Sequence, residues 1–246
     1  MKSKSAISKM VEVSDARKGE TVLEIGPGLG VLTEALLATG ASVVAVEKDD
    51  RLIPVLREKF EKEIASGQLK LIHGDILKEK FEIKNYKLVA NIPYYITGQV
   101  IRKFLEAENQ PDSMTLLVQK EVAERIVAKD GKESLLSLSV KVYGEPKYVQ
   151  TVKRGSFEPA PNVDSAIIHI ANISRKNFQK ISEANFFKLI HAGFAHKRKQ
   201  LLPNLSALYS KDIIRGAFEK LSIDLKTRAE DLPLQKWLEL CEITNS

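Results

Sequence analysis

The strongest constraint in this chain is a short apolar run, Thr21-Val22-Leu23-Glu24-Ile25, that passes directly into Gly26-Pro27-Gly28-Leu29-Gly30 and then into a helical pattern from Leu32 to Leu37. Glycines at alternate positions remove Cβ atoms where a backbone must turn sharply and lie against a ligand, which is how nucleotide-like cofactors are seated between a strand and a helix. A tight β-to-α turn with no ligand is the plainer alternative. The spacing also departs from the dinucleotide fingerprint, in which the third glycine comes later.

The same strand-then-helix texture repeats. Val43–Val46 reads as a second strand, followed by a charged helix from Arg51 to Ile64, and Leu69–His73, Lys87–Ala90 and Thr115–Val118 are further short β-runs. Five such runs separated by helices predict an α/β fold with a parallel, doubly wound sheet. After Tyr143 the pattern changes: Tyr148–Val152 and Ala166–Ile170 look like two antiparallel edge strands joined by a proline-containing loop. From Glu183 onward the periodicity is helical only, with apolar positions at Phe186, Phe187, Leu189, Ile190 and Phe194, then at Ile213, Ile214, Ala217, Phe218 and Leu221. The polar stretch 172–177 suits a boundary, so the expected domains are 1–174 and 175–246.

Charge points to a partner. The net charge is +6, and residues 175–246 hold 13 Lys and Arg against 8 Asp and Glu, so a +5 excess sits in the C-terminal third. An acidic partner such as RNA is implied there, although a solvated helix face also explains a mild excess. No segment approaches the roughly 18 apolar residues of a membrane span, and the basic start of the chain has no apolar run behind it. A cytoplasmic protein is expected, acting as a monomer with no membrane partner. The single Cys241 excludes an internal disulfide.

Two acids and an aromatic turn carry the chemistry. Glu47 ends the second strand about twenty residues beyond the glycine turn, where a carboxylate accepts ribose hydroxyl hydrogens; that position serves NAD and S-adenosylmethionine equally. Asp75, after the third strand, is placed to accept a hydrogen bond from an adenine amine while Ile76 covers the ring, although an isolated Asp is more often a helix cap. Asn91-Ile92-Pro93-Tyr94 follows the fourth strand. An exocyclic adenine amine is a poor nucleophile because its lone pair is delocalised into the ring. The Asn91 side-chain oxygen and the Ile92 carbonyl can hold its two N–H groups, Pro93 stiffens the turn, and Tyr94 offers a stacking face for an unstacked base. A proline turn with a core tyrosine is the competing reading. Phe157, ahead of Pro159 and Pro161, is either presented by a rigid loop or packed in the core. Lys197-Arg198-Lys199 is the sharpest basic cluster and is suited to phosphate contacts. The four histidines offer no metal site, since His191 and His196 have no matching acid or cysteine at helical spacing.

The run Val22–Gly30, Asn91–Tyr94, Gln119–Arg125 and Phe157–Ser165 together resemble the KsgA-type rRNA adenine dimethyltransferases. The resemblance implies a Rossmann-like S-adenosylmethionine-dependent methyltransferase sheet with a small C-terminal helical domain. It also implies dimethylation of the N6 amine of two adjacent adenines near the 3′ end of small-subunit (16S) rRNA, alone or in the immature small subunit, with a role in ribosome assembly. Carried over by motif, Gly26, Pro27, Gly28, Glu47, Lys48, Asp75, Ile76 and Asn91 line the cofactor. Tyr94 and Phe157 sandwich the adenine, and Lys197–Lys199 lie on an RNA-facing helix. Such proteins ordinarily open with a Gln-Asn-Phe-Leu segment that folds over the site; nothing before Ser14 matches it, so a shortened form, or one that works without the segment, is expected. Two rivals are an Erm-type large-subunit rRNA adenine methyltransferase and a mainly non-catalytic assembly factor that binds RNA.

Overall fold

The computed structural model describes residues 3–244. Seven strands, β1 (Thr21–Ile25), β2 (Ser42–Glu47), β3 (Leu69–His73), β4 (Tyr86–Asn91), β5 (Ser113–Gln119), β6 (Glu145–Val152) and β7 (Ser165–Ala171), form one sheet in the order β3-β2-β1-β4-β5-β7-β6. The first five are parallel. Strand order reverses between β1 and β4, and in open α/β sheets the crevice beyond the carboxyl ends at such a reversal is where ligands bind. Ile25 pairs with Ala90, so the glycine turn after β1 and Asn91 at the end of β4 emerge side by side.

One strand lies elsewhere than its sequence suggests. β7 is not an edge strand: it runs antiparallel between β5 and β6, and Ala166, Ile167, Ile168 and Ile170 are fully buried. Its unbroken apolar run is the mark of a strand covered on both faces, and on that side of the sheet β6, with a bulge between Tyr148 and Gln150, forms the rim. The charged helix expected from Arg51 to Ile64 is likewise two helices, Leu52–Lys59 and Glu61–Ala65, broken at Phe60 (φ −115°, ψ 29°). The break turns the Phe60 ring into the core beside the glycine turn. A Cβ on Gly30 would collide with that ring, and Gly30 also has φ 75°, so glycine is required there twice over.

The N-terminal helix Lys4–Ser14, capped by the Ser3 hydroxyl, buries Ile7 and Met10 in the cluster that holds Leu32, Leu36 and Phe60. Burying a side chain of that size stabilises by about 1.5–3 kcal/mol.

The chain divides into two compact units. One comprises the residues up to Ala123 with Glu145–Ile173, the other Glu124–Gly144 with the residues from Ser174 onward. The expected 1–174 domain is therefore interrupted: residues 124–144 group with the C-terminal helices. Long-range bonds explain the grouping. The Glu133 N–H donates to the Glu230 carbonyl, Lys132 pairs with Glu230 at 2.6 Å, and the Asn177 side-chain amide donates to the Val142 carbonyl. Helices Glu183–Gly193, Leu201–Leu205, Lys211–Lys220 and Leu234–Thr244 complete this unit around Phe186, Phe218 and Trp237, all fully buried.

Candidate active site

Three adjoining cavities lie at the carboxyl ends of the parallel strands. A cleft of about 410 Å³ is bordered by Gly26, Glu47, Lys48, Asp75, Ile76, Pro93 and Tyr95 among others. A second, of about 240 Å³, lies between Asn91-Ile92-Pro93-Tyr94 and the Phe157, Pro159 and Pro161 side. The third, of about 250 Å³, runs along the glycine turn past Ile7, Glu24, Pro27, Gly28, Asn91 and Glu158. Gly26 borders the first and third, Pro93 the first and second, and Asn91 the second and third, so these residues stand where the cavities meet.

Backbone geometry builds the cleft side. Gly26, Gly28 and Gly30 all have positive φ, and no atom stands within 4 Å of where a Cβ on Gly26 or Gly28 would be. The turn is tied to β2 because the Gly26 N–H donates to the Val46 carbonyl and the Gly28 N–H to Glu47 Oε2, at 2.9 and 3.0 Å. Glu47 Oε1 accepts the N–H groups of Lys48 and Asp49. A carboxylate has about four lone-pair sites, so three are filled and Oε2 is the oxygen with room for a hydroxyl.

Asp75 lies two residues beyond β3, with Oδ1 accepting the Leu77 N–H and Oδ2 the Lys48 ammonium at 2.9 Å. These two bonds, Lys48 first, hold its carboxyl below the usual range. Lys48 is largely exposed, so solvent screens the pair at the rim and it yields easily to a ligand. Ile76 is buried against the cleft.

The second cavity is held more loosely. Asn91 and Tyr94 are half-buried, and among the described residues nothing hydrogen-bonds the Asn91 side-chain amide. The Tyr94 hydroxyl bonds the Ser165 hydroxyl at 2.7 Å. Phe157 satisfies both of its sequence readings: it is half-buried, its ring packs on the central cluster, and it borders the cavity across from Asn91.

Lys197, Arg198 and Lys199 are exposed, but in a turn between helices Glu183–Gly193 and Leu201–Leu205. They are not on a helix, as the resemblance implied. The Asn204 amide, bonded to the Gly193 and His196 carbonyls, pins that turn and stops a continuous helix from passing through it.

A family model described as ribosomal RNA adenine dimethylase matches residues 1–246. The chain belongs to that family. It is an S-adenosylmethionine-dependent rRNA adenine dimethyltransferase. Ribosomal RNA small subunit methyltransferase A from Dehalococcoides mccartyi is 46% identical over 246 residues, covering 97% of this chain and 84% of the relative. The protein of the same name from Fusobacterium nucleatum is 41% identical over 243 residues, covering 96% and 91%. Among solved structures, a dimethyladenosine transferase from Plasmodium falciparum superposes with a TM-score of 0.85 at 26% identity over 98% of this chain and 95% of that one. The 23S rRNA methyltransferase ErmE gives 0.82 at 25% over 99% and 98%.

Several residues of this dimethyltransferase's site escape sequence reasoning. Glu24 is 1% exposed, and neither carboxylate oxygen has a hydrogen-bond partner among the described residues. Burial pushes its carboxyl up to about 8, the nearby Thr33 hydroxyl opposes the rise and the Glu47 charge adds to it, so it is neutral near pH 7. A Glu inside an apolar strand was the available signal. Tyr95, 83% exposed at the mouth of the cleft, was signalled by the doubled tyrosine. Ser165 closes the Phe157–Ser165 motif, but its bond to Tyr94 carried no signal, because the two are 71 residues apart.

Proposed function

We propose that the chain dimethylates the N6 amines of two adjacent adenines near the 3′ end of 16S rRNA, in the small subunit or its immature precursor. In this reading it acts as a cytoplasmic monomer with a role in subunit assembly. The observation that carries the reading is the shared wall. Asn91 and Pro93 each border the aromatic cavity and one of the two cavities along the glycine turn, so a base between Tyr94 and Phe157 meets the cleft at Pro93 and the cavity along the glycine turn at Asn91.

The residues present fit S-adenosylmethionine. The cleft falls within the range of about 300–1,000 Å³ typical of small-ligand sites. Glu47 Oε2 takes a ribose hydroxyl, Asp75 takes the adenine amine, and Ile76 covers the ring. The buried Glu24 carboxyl, neutral on its own, would be drawn to its charged form by the cationic end of the molecule. When bound, the cofactor supplies a methyl group already activated as a sulfonium.

The chain's own part is to hold the amine. Asn91 Oδ1 and the Ile92 carbonyl accept its two N–H bonds, which favours a pyramidal nitrogen with its lone pair free. Tyr94 and Phe157 clamp the ring and displace water. In the helical unit, Lys197, Arg198 and Lys199 contact phosphates and position RNA without reading its sequence.

The test is transfer of tritiated methyl groups to small and large ribosomal subunits from an unmethylated strain. Label on small-subunit adenine alone is expected. Label on the large subunit would favour the Erm-type activity, and tight binding without label would favour the non-catalytic factor. Replacing Lys197, Arg198 and Lys199 by Gln weakens binding and flattens its salt dependence, by about 0.7–0.9 in log–log slope per lost contact.

A further inference from the structure

We propose that Asp164 and Ser165 form a strut that sets the gap between Tyr94 and Phe157, making them positioning residues for the target base. The inference rests on the adenine-pocket reading above and assigns the pocket's width to two residues that do not themselves border it.

The two aromatics come from parts of the chain with no local reason to face each other. Tyr94 sits in the short 3₁₀ turn after β4, and Phe157 in the loop 153–164 that connects β6 to β7. A loop of that length gains its rigidity from how its ends are closed. Here one carboxylate closes it. Asp164, the last loop residue, accepts the Arg154 N–H on Oδ1 and the Lys153 ammonium on Oδ2, both at 3.0 Å, so the two stems are joined. The Arg154 N–H, then the Lys153 ammonium, hold the carboxyl below its usual range and keep it ionised. From this pinned stem the chain rises into a single 3₁₀ turn, Arg154–Ser156, and delivers Phe157 one residue later. The Asp164 carbonyl in turn accepts the Lys120 N–H at 3.0 Å, anchoring the loop to the end of β5.

Ser165 supplies the other half. It is fully buried, opens β7, and is in register with Gln119 of β5 and Val152 of β6, so three strand ends hold its backbone. From that fixed point its hydroxyl meets the Tyr94 hydroxyl at 2.7 Å. Asp164 therefore fixes the loop that carries Phe157, and its neighbour Ser165 fixes the ring of Tyr94. Two consecutive residues thus tie both walls of the cavity to one strand end. A bound base needs ring faces at a defined spacing, so loss of either tie costs base positioning and leaves the glycine-turn side untouched.

A double-mutant cycle tests this on the full chain with unmethylated small subunits. Tyr94→Phe and Ser165→Ala each remove one hydroxyl of the pair while keeping the tyrosine ring and the buried backbone. Each is expected to slow single-turnover methyl transfer to adenine about tenfold, the scale of one lost hydrogen bond. The double variant is expected to be no slower than either single one, with calorimetric affinity for S-adenosylmethionine unchanged in all three. Asp164→Asn keeps the shape and weakens the grip on Lys153, so it is expected to raise KM for the particle more than it lowers kcat. Additive effects in the cycle, full rate in Ser165→Ala, or an equal loss of cofactor affinity would overturn the strut while the adenine reading stands. A wild type that methylates no adenine would overturn both.

Discussion

At the ends of β1 and β2 the functional carboxylate is held by main chain: Glu47 accepts three backbone N–H groups within a strand end and a glycine turn. Across Pro93, the base side is held by side chains, with Tyr94 resting on one hydroxyl 71 residues away and the Asn91 amide holding no protein partner among the described residues. The contrast suits the proposed roles. In that reading the cofactor side takes the same molecule at every turnover, which suits a site built in advance. The base side takes a nucleotide drawn out of a folded RNA, which suits half-exposed aromatics and an amide left for the substrate.

The contrast breaks most sharply at Asn91. Asn91→Ala is expected to reduce single-turnover methyl transfer by about a hundredfold or more, since one preorganised bond to a reacting group is typically worth that much. Cofactor affinity should stay near the wild-type value, because the bond is made to the target amine and matters in the transition state. A variant that keeps more than about a tenth of the wild-type rate would remove Asn91 from this role.

The complementary variant, Glu47→Ala with Asp75→Ala, should weaken calorimetric affinity for S-adenosylmethionine by about a hundredfold, as expected for two lost hydrogen bonds to charged groups. Saturating cofactor should then restore most of the rate. Equal affinity in the double variant and wild type would mean the cleft holds its ligand by shape alone.

The last effect is a slope, small within any one pH unit. Glu24 has its carboxyl raised to about 8 in the folded chain against an ordinary value near 4.5. The folded state therefore holds a proton that the unfolded state releases between those values, and stability from this group falls as pH rises through that window. Relative to Glu24→Gln, the wild type should lose up to about 1.4 kcal/mol per pH unit between roughly pH 5 and 8 in urea unfolding. A stability difference that does not change with pH would show that Glu24 is ionised and paired, and that the cofactor side is less dry than its burial indicates.

How much of this was legible in the sequence follows the same division. The glycine turn, Glu47 and Asp75 stand out because a strand, its turn and the next strand end are local features, and their periodicity and glycine spacing survive in one dimension. Asn91–Tyr94 was legible for the chemistry of its residue types. The second unit was less so: helix Leu135–Lys141 reads as part of the sheet domain until its neighbours' bonds to Glu230 and Asn177 assign it to the C-terminal helices. The resemblance put Lys197–Lys199 on a helix, and neither it nor apolar spacing registers the Asn204 side chain that pins the turn.

By itself, then, the sequence determined the parallel α/β sheet, the glycine-lined crevice and the identities of the acids and the amide at its strand ends. Each rests on backbone preferences and apolar periods that act within about twenty residues. Only the tertiary structure decided that β7 enters the sheet between β5 and β6, and so where Ser165 and Phe157 stand relative to Tyr94. It also decided that Glu24 is sealed from solvent. Pairing order and burial are set by contacts between distant segments, and a strand's apolar run is the same whether it ends at the rim of a sheet or inside it.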